Sequence, residues 1–276
     1  MSDGIKLMPS DYGYYRPNAF TRFFIKKGQN IENNGRRFNR IIAGIYRKIA
    51  KLTANKKYID CKVRGIRWRA NYRNNSSEKK FFFITDYYDK SELDYILNLN
   101  SPKGVFLDIG ANAGIYSLIA AKVFDEVHSF EPNEKMFDRL NFHIKINNLE
   151  NKIFPHDFAL SDTNGQATLS INHDNLGASC ISNKGENLKP ILTNTLQKFI
   201  SDFNIKKIGG VKIDTEGHES QILMPFFKTV EERLFPKFIV IEFIHEKLFD
   251  EDLFSFLEQL GYREVLKGKT NRVMER

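Results

Sequence analysis

Cysteine is nearly absent: Cys61 and Cys180 are the only two, far apart and without metal-ligand spacing. A disulfide framework and a cysteine-built zinc site are thereby excluded, and a reducing compartment is expected. No apolar run approaches the roughly 18 residues that cross a bilayer, and no charged-then-apolar leader is seen, so the expectation is a cytoplasmic protein. Internal repeats and low-complexity segments are also lacking. Tryptophan occurs once, against 24 phenylalanines. With 41% hydrophobic residues among 276, the chain can build one large domain, or a domain with an extension.

What is abundant is positive charge, and it is unevenly placed. Residues 1–100 hold 21 Lys and Arg against 9 Asp and Glu, a balance of +12; the remainder holds 21 against 25, or −4. This asymmetry divides the chain into a basic extension, 1–100, and a mildly acidic domain, 101–276, and suggests an anionic partner for the first.

Within the extension, residues 1–35 show no sustained period and read as an irregular arm. The run 36–52, RRFNRIIAGIYRKIAKL, places Phe38, Ile41, Ile42, Ile45, Ile49 and Leu52 on one helical face beside Arg36, Arg40, Arg47 and Lys51. Such a helix packs its apolar face on the domain, the commoner outcome, or lies on an anionic membrane surface, here the inner face. Residues 58–73 alternate and carry Gly65 midway, which predicts a hairpin with Val63, Ile66 and Trp68 inward and Arg64, Arg67, Arg69 and Arg73 as a basic rim. A polar turn over 74–80, a short strand at FFFIT and a helix are expected next.

The stretch Gly104–Leu118, GVFLDIGANAGIYSL, organises the rest. A short apolar run ends in Asp108, and Gly110 and Gly114 open into an apolar helix, which predicts a strand, a tight turn and a helix. Ala111 and Asn112 complete the turn and Ser117 lies on the helix behind it, and with Asp108, Gly110 and Gly114 they are the candidate cofactor-binding residues. The helix N-terminus is expected to aim free N–H groups at a ligand. A dinucleotide fingerprint wants G-x-G-x-x-G, whereas this turn reads D-x-G-x-N-x-G. An acid ahead of the glycines repels phosphate but suits the sulfonium and ammonium of S-adenosylmethionine.

From Gly104 onward strands and helices alternate, as an α/β doubly wound, mostly parallel sheet requires. Strands are predicted at 104–109, 126–130, 152–156, 210–213 and 238–243, helices at 114–124, 134–146, 192–203 and 250–260, and a closing hairpin at 262–266 and 271–274. The segment 161–182 interrupts the pattern as an inserted hairpin and a polar loop, with 174–182 placed as a lid or substrate loop. Ligands bind at the C-terminal ends of parallel strands, and all five ends are acidic: Asp108, Glu131, Asp157, Asp214 and Glu242. Glu131 suits ribose hydroxyls, and Asp157, Phe158 and Ala159 are placed beside adenine.

DIGANAGIYS at 108–117, FEP at 130–132, ALSDTNG at 159–165 and VKIDTEGHE at 211–219 together resemble the FkbM family of S-adenosylmethionine-dependent methyltransferases. The resemblance covers about residues 104–260. It implies a class I methyltransferase (Rossmann-like) fold and O-methylation, commonly of a sugar hydroxyl in a glycan or glycosylated product. One departure is Gln197, where the family usually carries an acid after Thr-Leu.

Methyl transfer to oxygen needs orientation and removal of a hydroxyl proton. Candidate bases are Asp214, Glu216, His218, Glu219, Glu242 and His245. A divalent ion, Mg²⁺ or Mn²⁺, would lower the hydroxyl's pKa, and Asp214, Glu216 and Glu242, with His245, have the hardness to hold one. The acceptor expected is a small molecule or glycan. Two rivals share the motifs. One is a nucleic-acid methyltransferase, for which IDTEG replaces the N/D-P-P-[YF] turn of amino-group methylases and no RNA-binding module is seen, so that a ribose 2′-O target stays open. The other is a non-catalytic S-adenosylmethionine-binding module.

Overall fold

Residues 105–109, VFLDI, are buried on both faces, as the central strand of a parallel sheet must be. A computed structural model describes residues 11–32, 37–54, 57–182, 184–185, 187–248 and 252–276. The chain runs through helices α1 (Ala19–Gln29) and α2 (Arg37–Thr53), a hairpin of β1 (Ile59–Val63) and β2 (Ile66–Ala70), and helices α3 (Ser76–Phe83) and α4 (Lys90–Leu97). Next come β3 (Val105–Ile109), α5 (Ile115–Ala120), β4 (Val127–Phe130), α6 (Glu134–Ile146) and β5 (Ile153–His156). The insertion holds β6 (Ala159–Ser161), β7 (Gly165–Ser170), β8 (Cys180–Ile181) and β9 (Leu188–Thr195). Then α7 (Leu196–Asp202), β10 (Ile208–Ile213), α8 (Glu219–Thr229), β11 (Phe238–Glu242), α9 (Leu253–Gln259), β12 (Arg263–Lys267) and β13 (Asn271–Glu275) complete the order.

Seven strands form the central sheet in the order β12-β13-β11-β10-β3-β4-β5. The four pairs from β11 to β5 are parallel, and the two pairs made by β13 are antiparallel. The expected doubly wound, mostly parallel architecture is therefore the one observed. Strand order reverses between β3 and β10, so the crevice for a ligand lies over their C-terminal ends. Val105, Leu107 and Ile109 pack on α7, α8 and α9, while Phe106 faces α5, α6 and the N-terminal elements.

Trp68, Phe81, Phe82, Leu93 and Ile96 belong to the same apolar cluster as Phe106, Leu118 and Leu140. Buried polar contacts reinforce this packing. Arg139 of α6 donates from Nε to Glu78 Oε1 (2.8 Å), from Nη2 to Glu78 Oε2, and to the Arg69 carbonyl (2.8 Å). His143 stacks on Trp68 at 3.7 Å and bonds the Ala113 carbonyl through Nδ1 (2.8 Å). Burial holds this imidazole neutral, its pKa pushed down to about 3.

Several local expectations change. The arm contains α1, because the Asn18 side chain accepts from the Thr21 N–H (2.8 Å) and caps a helix start. FFFIT is no strand: Asn75 caps α3, and Phe81–Phe83 end that helix. The expected helix over 192–203 begins only at Leu196, because Leu188–Thr195 pairs with β7. Thr195 Oγ1 caps it by accepting from the Lys198 N–H (3.2 Å), so the cap does not need an acid at Gln197. Arg69 is no rim residue; it is fully buried and holds Asp60 with two hydrogen bonds (2.7 and 2.8 Å). Most of the apolar face of α2 does not pack on the domain either: Ala43 and Ala50 face inward and Ile42 and Ile49 are half-buried, while Phe38, Ile41, Ile45 and Leu52 are exposed. The first two residues predicted for the last helix, 250–251, lie outside the described residues, and α9 begins at Leu253.

If the Arg139–Glu78 pair anchors the N-terminal elements, Arg139→Leu strands a buried carboxylate. It should cost about 3–5 kcal/mol in urea unfolding; a cost below about 1 kcal/mol contradicts that role.

Candidate active site

The turn after β3 is shaped by its neighbours in the protein before any ligand is considered. Gly110 has φ +77°, and a Cβ there would lie 1.9 Å from the Asp214 carbonyl oxygen. Only glycine lets the ends of β3 and β10 approach this closely. The Gly110 and Ala111 N–H groups both donate to the Phe130 carbonyl (3.0 and 2.9 Å). Asn112 donates its N–H to Glu131 Oε2 (2.7 Å), Ala113 to Asn112 Oδ1 (2.8 Å) and Gly114 to the Ala111 carbonyl (2.9 Å). The N–H groups of residues 110–114 are thus all engaged within the protein.

Asp108 is 1% exposed beneath the turn and accepts from Ser117 Oγ (2.5 Å), which in turn accepts from Ser129 Oγ (2.8 Å). Gly114, at φ +93°, sits against Leu140 at the start of α5. Glu131 bridges two backbone N–H groups, those of Asn112 and Asn133 (2.8 Å). Burial raises both acids, Asp108 to about 6 and Glu131 to about 7.

Over this turn lies a pocket. Gly110, Asn112, Glu131, Ala159 and Asp214 line it, together with the apolar Phe130, Leu160, Leu176 and Ile181. Ala111, Asp108, Gly114 and Ser117 are buried and lie outside that lining. Asp157 is exposed, and Phe158 packs on Phe130 (5.7 Å) outside the lining, so the wall begins at Ala159.

The predicted loop 174–182 forms the far wall. Leu176 N–H donates to the Asn74 carbonyl (2.9 Å), Asn175 Oδ1 accepts from the Ser76 N–H (3.1 Å), and Asn133 Nδ2 donates to Ser179 Oγ (3.1 Å). Gly177 lies against Asn112; a Cβ there would come within 2.3 Å of Asn112 Nδ2 and displace that side chain.

A second, polar cavity, larger than the first, begins on the other side of Gly177. Glu216, Glu242 and His245 line it, with Tyr88, Asp89 and Lys269 among the residues facing them. His245 Nε2 lies 3.0 Å from Glu216 Oε2. His218, by contrast, turns to Ser161 Oγ (2.9 Å) on β6 and is not in this lining. Glu219 accepts from the Thr215 N–H (2.6 Å) and holds the loop after β10. Burial first and Asp214 second raise both Glu216, to about 7, and Glu242, far above its usual range.

Donor atoms of Glu216, Glu242 and His245 lie within 4.8 Å of one another, as do those of Asp214, Glu219 and Glu242. The Asp214 and Glu216 donors thus fall in different groups that share Glu242. Glu219 Oε2 and Glu242 Oε2 are both buried without a hydrogen-bond partner. Such orphaned hard oxygens fit a Mg²⁺ or Mn²⁺ ion.

Sequence reasoning passed over the cation in this cluster. Lys212 is 2% exposed, with Nζ 3.2 Å from Asp214 Oδ2 and 5.1 Å from the centre of the Tyr116 ring. Burial opposes its charge, yet Asp214, Glu242, Asp89 and Asp108 outweigh burial and raise its pKa. Asp89, which accepts from Tyr116 Oη (3.0 Å), was also unforeseen; burial raises it to about 6. A lysine inside the apolar run of a central strand, two residues before an acid, was the available signal.

Compared with known proteins, residues 108–264 match the model of the methyltransferase FkbM domain. No curated protein matches the chain. Among solved structures, a methyltransferase FkbM from Methylobacillus flagellatus is 16% identical, with 72% of this chain and 54% of that one covered and a TM-score of 0.47. The chain thus spans about half the length of that protein. A precorrin-6y C5,15-methyltransferase from Geobacter metallireducens is 14% identical over 68% of this chain and 87% of that one, TM-score 0.42. A putative methyltransferase from Streptococcus mutans in complex with SAH is 10% identical over 67% and 96%, TM-score 0.43. At these scores the assignment rests on the family match.

Lys212→Met removes the cation that, among the described residues, is buried between these carboxylates, and should destabilise the chain by about 3–5 kcal/mol. S-adenosylmethionine should then raise the melting temperature more than it does in the native chain, because the cofactor's charge replaces the lost one. Equal shifts in scanning fluorimetry would contradict this account of the cluster.

Proposed function

Because this chain belongs to the FkbM family of S-adenosylmethionine-dependent methyltransferases, we propose that it transfers the methyl group to a hydroxyl of a sugar in a glycan or glycoconjugate. The observation that carries this is the meeting of two cavities at Gly177. One is walled by Gly110, Asn112, Glu131 and Asp214; the other is polar, roomy and floored by Glu216, Glu242 and His245.

The first cavity suits the cofactor. Glu131 has lone pairs left for ribose hydroxyls, Ala159 and Leu160 offer an apolar wall for adenine, and Asp214 supplies negative charge toward the sulfonium. In the second, the Glu216–His245 pair orients an imidazole whose Nδ1 takes the acceptor's proton. The hydroxyl oxygen attacks the methyl carbon, the new C–O bond forms as the C–S bond breaks, and S-adenosylhomocysteine leaves.

The unpartnered oxygens of Glu219 and Glu242 favour a second element, a divalent ion beside the acceptor. When bound, such an ion would lower the pKa of the hydroxyl. A nucleic-acid acceptor is the competing reading, and the separate polar cavity favours the smaller substrate.

A labelled-methyl assay on glycan, lipid-linked glycan and RNA fractions tests the proposal. Label is expected in carbohydrate; label confined to RNA overturns it. His245→Ala should lower kcat by about 10²–10⁴-fold while the cofactor still binds. EDTA should lower turnover, with Mg²⁺ or Mn²⁺ restoring it; unchanged turnover removes the metal from the mechanism.

A further inference from the structure

Helices α1 and α2 lie antiparallel. Thr21 at the start of α1 donates to Thr53 Oγ1 at the end of α2 (2.9 Å), and Gly28 lies against Tyr46. The hairpin is joined through Ala43, Ala50 and Ile25, all buried. Its larger apolar groups point the other way. Phe38 is 70%, Ile41 52%, Ile45 49% and Leu52 74% exposed, and their spacing sets them along one face of α2. Phe20 and Phe23 of α1 are also more than half exposed.

Charge on the hairpin has a single sign. Arg22, Lys26 and Lys27 belong to α1, and Arg37, Arg40, Arg47, Lys48 and Lys51 to α2, with no Asp or Glu in either helix. All but Arg47 are exposed. We propose that this hairpin docks the enzyme on an anionic lipid bilayer, with the α2 apolar face among the acyl chains and the basic residues at the headgroups.

Charge complementarity selects that occupant. A second copy placing the same face against this one would oppose five α2 cations to five, and a nucleic acid would leave the apolar row against a polyanion. An anionic bilayer satisfies both chemistries together.

The hairpin is also tied to a helix that lines the acceptor cavity. Gln29 Nε2 donates to the Phe82 carbonyl (2.7 Å) of α3, the helix whose Ser76, Ser77 and Lys80 line that cavity. A docked hairpin thus sets the cavity beside the membrane. The docking does not depend on which hydroxyl is methylated.

Co-sedimentation of the full chain with phosphatidylcholine vesicles, with and without phosphatidylglycerol, tests the proposal. Binding is expected to be about tenfold stronger to the anionic vesicles and to weaken with salt. The exposed-site variant Ile41→Ser/Leu52→Ser should lose about tenfold of that binding, as should Arg40→Ala/Lys48→Ala. Both should keep the native melting temperature and cofactor affinity. Absent binding, equal binding to both vesicle types, or a dimer in size-exclusion that these variants dissolve would each overturn the proposal. So would RNA binding that the same variants abolish.

Discussion

Concentrating carboxylates in a low-dielectric crevice is the constraint on which the site depends. Asp108, Asp214 and Glu242 lie at adjacent strand ends, and Asp89 comes in from the N-terminal part. Like charges so placed repel, and burial deprives them of water. Lys212 offsets part of that repulsion from inside the sheet, where its ammonium lies between Asp214 and the face of Tyr116. One cation does not neutralise four acids. The remaining negative potential makes the crevice receptive to a sulfonium and an ammonium, and hostile to phosphate.

Such a site costs stability at neutral pH, and the sign follows from the direction of the shifts. Asp108, Glu131 and Glu216 have folded pKa values raised to about 6, 7 and 7. The folded chain keeps protons that the unfolded chain has already released, so these groups reduce stability as pH rises from about 4 through 7. The packing of the N-terminal elements supplies compensation. Trp68, Phe81–Phe83, Arg139 and Glu78 tie those elements to one face of the sheet, and the same elements bring Ser76, Tyr88 and Asp89 into the second cavity. The wall of the second cavity is thus built partly from residues ahead of the family match, which begins at 108.

The sheet was legible because its strands are short apolar runs ending in acids, a pattern that follows from burial on both faces. Gly110 was legible as a close approach; the partner, the Asp214 carbonyl, was not, because sequence does not say which strand lies alongside. Helices α1 and α3 were lost by weighing periodicity above caps, although Asn18 before Thr21 and Asn75 before Glu78 carried cap signatures. The outward face of α2 was the less common of the two outcomes its pattern allows. Whether an amphipathic stripe meets protein or solvent depends on what else covers the core, and here Ala43 and Ala50 make the inner contact. His245 follows an acid-terminated strand and was the stronger candidate of the two histidines in sequence; the fold sends His218 to Ser161 and His245 to Glu216.

Calorimetric titration of S-adenosylmethionine into the protein across pH tests the central claim, that uncompensated strand-end carboxylates select a cationic cofactor. Binding a cation draws protons off Asp108 and Glu131, so affinity should rise with pH through the window from about 6 to 7, by on the order of tenfold between pH 5.5 and pH 8. NAD should show no measurable heat at either pH. A pH-independent affinity for S-adenosylmethionine, or NAD binding of comparable strength, would contradict the account.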